Sequence, residues 1–197
     1  MNTGDARTKI IQSIRTHLAM SAQYDGHETR TKTNPCKSVS ETRVAEVVEV
    51  FKRNLEAVDG HCVVVESEAE VEEAVKRITE GKIIAAANVP REELFKSDVG
   101  VTSAQAGIAE TGTLVLDSSM ERNRLVSLVP PIHIAILDAS RIYRTLGETL
   151  AALQSGEEIS PAITFITGPS RTADIELTLA IGVHGPQQLY VIINQNK

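Results

Sequence analysis

The hydrophobic positions of residues 41–58 recur at the spacing of one helical face, which makes this the clearest amphipathic helix of the chain. The residues that share the face are Val44, Val47, Val48, Phe51, Leu55 and Val58. Asp59-Gly60 follows and is typical of a helix end, because glycine readily takes the left-handed backbone found there. The pattern predicts a helix that buries one face in a core.

Short apolar runs alternate with helical patterns from residue 61 onward. The predicted strands are 61–66, 83–87, 99–104, 114–116, 132–137, 163–167 and 189–193. The predicted helices begin at Ser67 with Glu70 as capping partner, at Pro90, at Thr145 with Glu148 as capping partner, and after Gly168. Apolar strands that alternate with helices indicate an α/β fold on a mostly parallel sheet covered on both faces. Residues 99–137 leave little room for helices, so we expect an antiparallel or mixed arrangement there.

Residues 1–40 differ from the rest of the chain. Residues 5–19 have helical spacing, and residues 20–40 are polar and unpatterned, which is typical of an extended linker. We therefore expect an N-terminal helical extension with a polar linker at 1–40 and one α/β domain at 41–197. The first helix can pack on another subunit, which would give a homo-oligomer, or back on its own domain.

The composition is that of a soluble globular protein. The 197 residues are 42% hydrophobic and 23% charged, enough for one domain with a substantial core. The formal net charge of -6 argues against a nucleic-acid binder, which usually has a basic surface. No apolar run approaches the roughly 20 residues of a membrane span, and the first residues lack the apolar core of a signal peptide. We expect a cytoplasmic protein.

Two cysteines and five histidines show no spacing typical of a metal site. Cys36 and Cys62 cannot supply the four thiolates of an iron–sulfur cluster, so no cofactor is expected within this chain. Cys62 opens an apolar strand and is interpreted as a small core residue. Cys36 has no evident positive partner beyond Lys37 and is interpreted as an exposed bystander. His133 lies in an apolar run and is predicted to be a core residue with satisfied hydrogen bonds.

The segment 107–117 places polar residues at the start of an apolar strand. Because a buried strand excludes charge, Glu110 is expected just outside it, where the backbone turns beside Gly112. A carboxylate held at a strand end is a common way to present a functional group. The same polar residues, including Thr111 and Thr113, can also simply shape a tight turn, and both alternatives stay open.

The segment 162–176 is interpreted as a strand, a glycine turn and a helix start. Ser170 or Thr172 can cap this helix, and Asp174 and Glu176 would lie favourably against the positive end of its dipole. Free N–H groups at such a start can hold an anion, with Arg171 adding charge. A well-capped helix without a ligand is the alternative.

Ligands in parallel sheets gather at the carboxyl ends of the strands. The loop after 163–167 qualifies directly, and the segment 102–113 reaches the same edge if strand 99–104 runs parallel to it. The turn 182–186 would lie at the opposite edge, where His184 could be an acid, a base or a ligand, or could bond a backbone group in a helix-ending turn. We expect the corner at 110–112 and the helix start near 170 to share one cavity.

Four ordered motifs together resemble the lactate utilization protein C family, also called the LUD domain. They are Ile108-Ala-Glu-Thr-Gly-Thr-Leu-Val-Leu-Asp117, Pro130-Pro-Ile-His-Ile-Ala-Ile136, Phe165-Ile-Thr-Gly-Pro-Ser-Arg-Thr-Ala-Asp-Ile-Glu176 and Gly182-Val-His-Gly-Pro186. The resemblance covers roughly residues 60–195, and residues 119–124 depart from the glycine-rich turn expected of the family. It implies a three-layer α/β/α sandwich on a mixed sheet, similar to the glucosamine-6-phosphate isomerase, ribose-5-phosphate isomerase and CoA-transferase group.

The resemblance further implies a role in bacterial oxidation of L-lactate to pyruvate beside two iron–sulfur partner proteins. A first hypothesis is a non-enzymatic or substrate-presenting subunit, with the ligand carboxylate on Arg171 and Glu110 or His184 as the base. A second is a free-standing isomerase- or CoA-transferase-like enzyme with Glu110 as nucleophile, and a third is a regulatory or scaffold domain. The residues expected to contact the small anionic ligand are Thr111, Gly112, Thr113, Gly168, Ser170, Arg171, Asp174, Glu176 and Gly185.

Overall fold

The computed structural model describes residues 41–85, 90–118, 123–154, 162–172, 180–182 and 184–196. All of them belong to one unit of the chain, Pro35–Lys197. The predicted N-terminal helix and linker lie outside the described residues, as do Asp174, Glu176 and residues 119–122. The domain boundary at residue 40 therefore stays a prediction.

Helices and strands alternate along the described chain. The helices are α1 Glu41–Glu56, α2 Glu68–Thr79, α3 Arg91–Leu94 and α4 Leu146–Gln154, with 3₁₀ turns at Arg124–Ser127 and Ala139–Arg141. The strands are β1 His61–Val65, β2 Ile84–Ala85, β3 Val99–Ala104, β4 Ala106–Ile108, β5 Thr113–Asp117, β6 Ile132–Asp138, β7 Ile142–Tyr143, β8 Ile163–Ile166, β9 Arg171–Thr172, β10 Ala180–Ile181 and β11 Gln188–Asn194. The seven predicted strands are confirmed where they are described. None of the described helices is long and apolar enough to cross a membrane.

Two predicted helix starts are confirmed by their caps. Glu70 N donates to Ser67 Oγ at 3.3 Å, and the Glu70 carboxylate accepts a bond from the preceding backbone at 3.0 Å. Glu148 N donates to Thr145 Oγ1 at 3.2 Å, and its carboxylate accepts from Arg144 N at 3.0 Å. These reciprocal bonds satisfy N–H groups that a helix start leaves unpaired.

Five strands form one parallel sheet in the order β1-β11-β6-β3-β2. Every pairing in this sheet is parallel, with β11 between β1 and β6. The prediction of a mostly parallel sheet is confirmed. The helix-poor segment 99–137 contributes β3 and β6 to this sheet, and these two strands also run parallel to one another.

A second sheet of four strands has the order β7-β4-β5-β8. β5 pairs antiparallel with β4 and with β8, so the mixed character expected of this part of the chain is found here. The sequence predicted one sheet with strand 163–167 buried in it, and this detail is wrong. β8 lies at the edge of the second sheet, and Phe165 is 44% exposed. The β-branched and aromatic residues of β8 suit a half-buried edge strand as well as a fully buried one.

The parallel sheet is covered on both faces. On one face Ala135 packs in a cluster with Phe51 of α1 and Leu114 of β5. On the other face the neighbouring Ile134 packs in a cluster with Val71 of α2. Because consecutive strand residues point to opposite faces, these clusters define three layers, with α1 and the second sheet on one side and α2 on the other. The predicted three-layer α/β fold is confirmed, and the predicted face of α1 is the buried one.

The backbone after Gly168 does not begin a helix at Ser170 or Thr172. Arg171 and Thr172 form β9, which pairs antiparallel with β10. Ser170 N donates to Pro186 O at 2.8 Å, and Ser170 O accepts from the 182–186 turn at 3.0 Å. These bonds hold residues 170–172 extended, so the helix start capped by Ser170 is wrong. A helix capped by Thr172 would begin at residue 173, which lies outside the described residues, and the anion site at such a helix start stays a prediction.

Candidate functional site

Two glycine turns meet the carboxyl-terminal part of α1. Gly112 has φ +62°, and a Cβ added to it would lie 2.3 Å from Leu55 N. Gly168 has φ +78°, and its added Cβ would lie 2.6 Å from Val58 O. The turns are neighbours because the start of β5 pairs with the end of β8. Only glycine combines this left-handed backbone with such close approach of a helix.

A chain of three hydroxyl groups connects the two turns. Thr113 Oγ1 lies 2.7 Å from Thr111 Oγ1 and 2.7 Å from Thr167 Oγ1. Thr113 is buried, whereas the outer two threonines are exposed. When Thr113 accepts from one neighbour and donates to the other, the neighbour that accepts keeps its own proton for solvent or a ligand. The sequence predicted Thr111 and Thr113 as ligand contacts, and the structure shows their mutual bond.

We expect Thr113→Val to lower the free energy of unfolding by about 1 kcal/mol, the usual net value of a buried hydrogen bond. The replacement keeps the shape of the side chain but removes the central hydroxyl, and the outer two can turn to water. Thr113→Ser keeps the hydroxyl and serves as the control. Urea denaturation of both variants and of the unaltered chain checks this, and equal stabilities of Thr113→Val and the unaltered chain would show that the hydroxyl chain contributes nothing to folding.

Glu110 lies in the turn between β4 and β5, as predicted. Its Oε1 accepts a hydrogen bond from Leu146 N at 2.8 Å, and its own N–H donates to Arg144 O at 3.0 Å. One carboxylate oxygen therefore helps to cap α4, which is a structural role for this residue. Beside it opens a cavity of about 320 Å³, lined chiefly by Glu46, Val47, Val50, Ala109, Glu110 and Arg144.

Arg171 lines a different cavity, of about 520 Å³. Its principal lining residues are Glu56, Asp59, His61, Cys62, Arg171 and Gln188. The guanidinium donates to the Asp59 carboxylate and, at 3.1 Å, to Val58 O. Asp59 has φ +61°, which places its carboxylate in the turn that follows α1. Both bonds come from Nη2, so a carboxylate ligand on this guanidinium would lie beside the negative charge of Asp59 or exchange with it.

Glu110 and Arg171 were predicted to share one cavity, but among the described residues they line two. The Glu110 cavity contacts α1 at residues 46–50, and the Arg171 cavity contacts it at Glu56 and just beyond its end. Glu56 lies eight residues beyond the centre of residues 46–50, which at 1.5 Å of rise per residue is roughly 12 Å along the helix. The two glycine turns meet, whereas the two charged side chains diverge along the helix.

The turn 182–186 packs beside Ser170. An added Cβ on Gly185 would lie 3.2 Å from Ser170 Cβ, and Gly182 has φ +78°. The turn thus helps to fix the segment that carries Arg171, at the amino end of β11. His184 is exposed and lines neither of the two cavities. Its predicted role as acid, base or ligand stays a prediction.

Cys62 is partly buried against the core, in keeping with its interpretation as a small core residue. Burial raises the pKa of its thiol from 9.0 to about 12, with Lys52 opposing the shift and Glu56 adding to it. The thiolate is the reactive form, so the folded chain should protect this cysteine.

We expect Cys62 to react with iodoacetamide roughly fiftyfold more slowly in the folded chain than in urea, allowing for the higher nucleophilicity of a high-pKa thiolate. The measurement uses a Cys36→Ser variant, so that only Cys62 is labelled. Equal rates in both states would contradict the buried, protonated thiol.

His133 is fully buried, but its hydrogen bonds are only half satisfied. Nε2 lies 2.8 Å from Thr102 Oγ1, and Nδ1 has no partner among the residues that the structure describes. Burial lowers the pKa of the imidazole from 6.5 to about 4. Its identification as a core residue is confirmed, whereas the expectation of full satisfaction is wrong. Within the described residues no group of three or more His, Cys, Asp or Glu side chains could hold a metal ion.

The sequence did not predict the partners of Glu110 and Arg171, which are Arg144 and Asp59. Asp59 was recognised only as part of a helix end, and Arg144 was not singled out at all. A signal for Asp59 was present, because an aspartate before the glycine of a helix-ending pair can adopt the left-handed backbone and present its carboxylate. No local signal pairs it with Arg171, which is 112 residues away.

Comparison with known proteins gives consistent matches. A model of the LUD domain matches residues 83–194. An uncharacterized protein from Neisseria meningitidis is 47% identical over 96 residues, which are 48% of this chain and 41% of that protein. Lactate utilization protein C from Bacillus licheniformis is 38% identical over 114 residues, which are 56% of this chain and 47% of that protein. The chain thus spans about half the length of the relatives it matches.

One solved structure is similar over most of the chain. It is the crystal structure of a DUF162 family protein from Deinococcus radiodurans, with a TM-score of 0.61 over 82% of this chain and 100% of that one. The two sequences are 23% identical, so this likeness supports the fold alone.

Proposed function

Because the chain belongs to the LUD domain family, we propose that it is a component of a bacterial system that oxidises L-lactate to pyruvate. The observation that carries the proposal is the match to a protein named for lactate utilization, at 38% identity over 114 residues. This match includes more than half of the chain. The relative's name describes that relative, and the same role is inferred for this chain.

We infer further that the chain works in the cytoplasm with iron–sulfur partner proteins. Oxidation of lactate to pyruvate removes two electrons and two protons, and clusters on the partners would accept the electrons. The two cysteines of this sequence are too few for a four-thiolate cluster. A subunit that binds the substrate while its partners accept the electrons is consistent with this composition.

For the ligand we propose a small carboxylate on Arg171. The guanidinium reaches the 520 Å³ cavity and is already matched to a carboxylate, that of Asp59. A ligand carboxylate offers the same paired oxygen atoms, so it can exchange with Asp59 on the guanidinium. In this arrangement Asp59 competes with the ligand and lowers its affinity. Glu110 lies outside this cavity, so no step with this ligand is assigned to it.

We expect Asp59→Asn to raise the affinity for L-lactate roughly tenfold and Arg171→Ala to abolish binding. Asparagine tolerates the left-handed backbone of this position and removes only the competing charge. Thermal shifts against a series of lactate concentrations give the affinities by linkage.

The matched control is Arg77→Ala, which removes an exposed arginine of α2 that lines neither cavity. It should respond to lactate as the unaltered chain does. Unchanged binding by Arg171→Ala would remove this residue from the ligand site, while leaving the proposed role in lactate utilization open to its own test.

The partnership is tested by affinity purification of the tagged chain from lactate-grown cells of its own organism. We expect iron–sulfur proteins to co-purify, recognised by their iron content and their electron paramagnetic resonance after reduction. Cells grown without lactate and cells carrying the tag alone are the controls. Recovery of the chain free of iron–sulfur proteins under crosslinking conditions would contradict the partnership.

A further inference from the structure

The cavity beside Glu110 has an apolar floor and a charged rim. Val47 and Val50 of α1 and the buried Ala109 form the floor. The other lining residues include Glu46, Glu110 and Arg144, which carry two carboxylates and one guanidinium. At about 320 Å³ the cavity is at the small end of the range of ligand sites, roughly 300–1,000 Å³.

The charged side chains around this cavity do not form ion pairs with one another within the described residues. Within the part of the chain that the structure describes, Arg144 forms no ion pair, and neither does Glu46. Glu110 is held in place through Oε1 by Leu146 N, which leaves Oε2 for another donor. A guanidinium and two carboxylates thus surround an apolar floor without neutralising each other.

The balance of these charges selects among small ligands. Two carboxylates and one guanidinium leave one net negative charge, so a simple anion is repelled as a whole. A simple cation leaves Arg144 without a partner. A ligand that has both an ammonium and a carboxylate can satisfy both parts of the rim, and an apolar side chain would cover the floor.

We propose that this cavity binds a free α-amino acid with an apolar side chain, in its zwitterionic form. The ammonium donates to Glu110 Oε2 and to Glu46, the carboxylate accepts from Arg144, and the side chain packs on Val47 and Val50. This site is separate from the Arg171 cavity, and the proposal holds whether or not the chain takes part in lactate utilization. It gives the fold a site for an amino acid as an effector or as a second substrate.

Calorimetric titration of the full chain with L-leucine tests the proposal. We expect saturable binding, weakened roughly tenfold or more by Glu46→Gln and by Arg144→Gln, since each removes one charge-assisted hydrogen bond. Glu110→Gln keeps an oxygen for Leu146 N, so it should retain the fold and lose affinity to a similar degree. The matched control is Glu49→Gln, an exposed position of the same helix that does not line the cavity.

Two analogues of leucine separate the zwitterion from its parts. Isocaproate keeps the carboxylate and side chain but lacks the ammonium, and isoamylamine keeps the ammonium but lacks the carboxylate. Each should bind roughly tenfold or more weakly than leucine. Absence of leucine binding, binding of either analogue as tightly as leucine, or full binding by the Arg144→Gln variant would overturn the proposal. L-lactate added beforehand should not compete, because its proposed site is elsewhere.

Discussion

Replacing Gly112 with alanine is expected to lower the free energy of unfolding by about 4 kcal/mol. The residue has φ +62°, a conformation that is unfavourable for any residue with a Cβ. The added Cβ would also lie 2.3 Å from Leu55 N and 2.6 Å from Asn54 C, both backbone atoms of α1. Backbone atoms cannot rotate away, so the turn and the helix would have to separate, and α1 contributes much of the core.

The control for this prediction is Gly81→Ala. Gly81 has a similar φ of +69° but has no atom within 4 Å of its added Cβ. It should lose only about 1 kcal/mol, the penalty of the left-handed backbone. Urea denaturation of both variants separates strain from steric overlap. Equal small losses would contradict the close packing of the 110–112 turn on α1.

Acidification is expected to destabilise the chain by about 3 kcal/mol through His133 alone. The pKa of this imidazole is lowered from 6.5 to about 4 by burial. Above pH 6.5 the imidazole is neutral in the folded and unfolded chain, so its full contribution to stability is present. Between pH 6.5 and about pH 4 the unfolded chain binds a proton that the folded chain does not, and the contribution is lost as pH falls.

The variant His133→Gln isolates this effect, because glutamine does not titrate and can still bond Thr102. Free energies of unfolding are measured for both proteins from pH 7 to pH 4. Carboxylates contribute equally to both curves, so the difference between the curves should change by about 3 kcal/mol across the range. Parallel curves would show that the imidazole is protonated as readily in the folded chain as in the unfolded one.

Local patterns predicted most of the helices and strands. Ser67 with Glu70 and Thr145 with Glu148 form the predicted caps, because a capping box depends only on residues within one helical turn. The buried face of α1 followed from its spacing for the same reason. Apolar strands also indicated a covered parallel sheet, since both faces must exclude water.

Pairing between distant segments was not predictable from the same patterns. The division into two sheets depends on β8 pairing with β5 rather than joining the parallel sheet, and the residues of β8 suit either place. Likewise, glycine, proline and a polar residue at 168–170 suit a helix start. Backbone hydrogen bonds between Ser170 and the turn before β11 hold the segment extended instead.

The sequence predicted where single residues of the candidate site lie better than how those residues are arranged relative to one another. Glu110 does lie in a turn beside Gly112, and Arg171 does reach a cavity. Among the described residues the two side chains line different cavities, because the turns meet beside α1 while each cavity borders a different stretch of that helix. Gly112 and Gly168 allow the backbone to lie close to α1 and the turn after it. These two motif positions, which were predicted to contact a ligand, therefore have a role in folding.

We expect this chain to be needed for oxidation of L-lactate in its own organism. The most direct measurement is the rate of lactate-dependent pyruvate formation, with an added electron acceptor, in extracts of the chain's own organism from which its gene has been deleted. We predict that the rate falls to background and that purified chain restores it, whereas heat-denatured chain does not. Undiminished pyruvate formation in the deletion extract would contradict the proposed role of the chain.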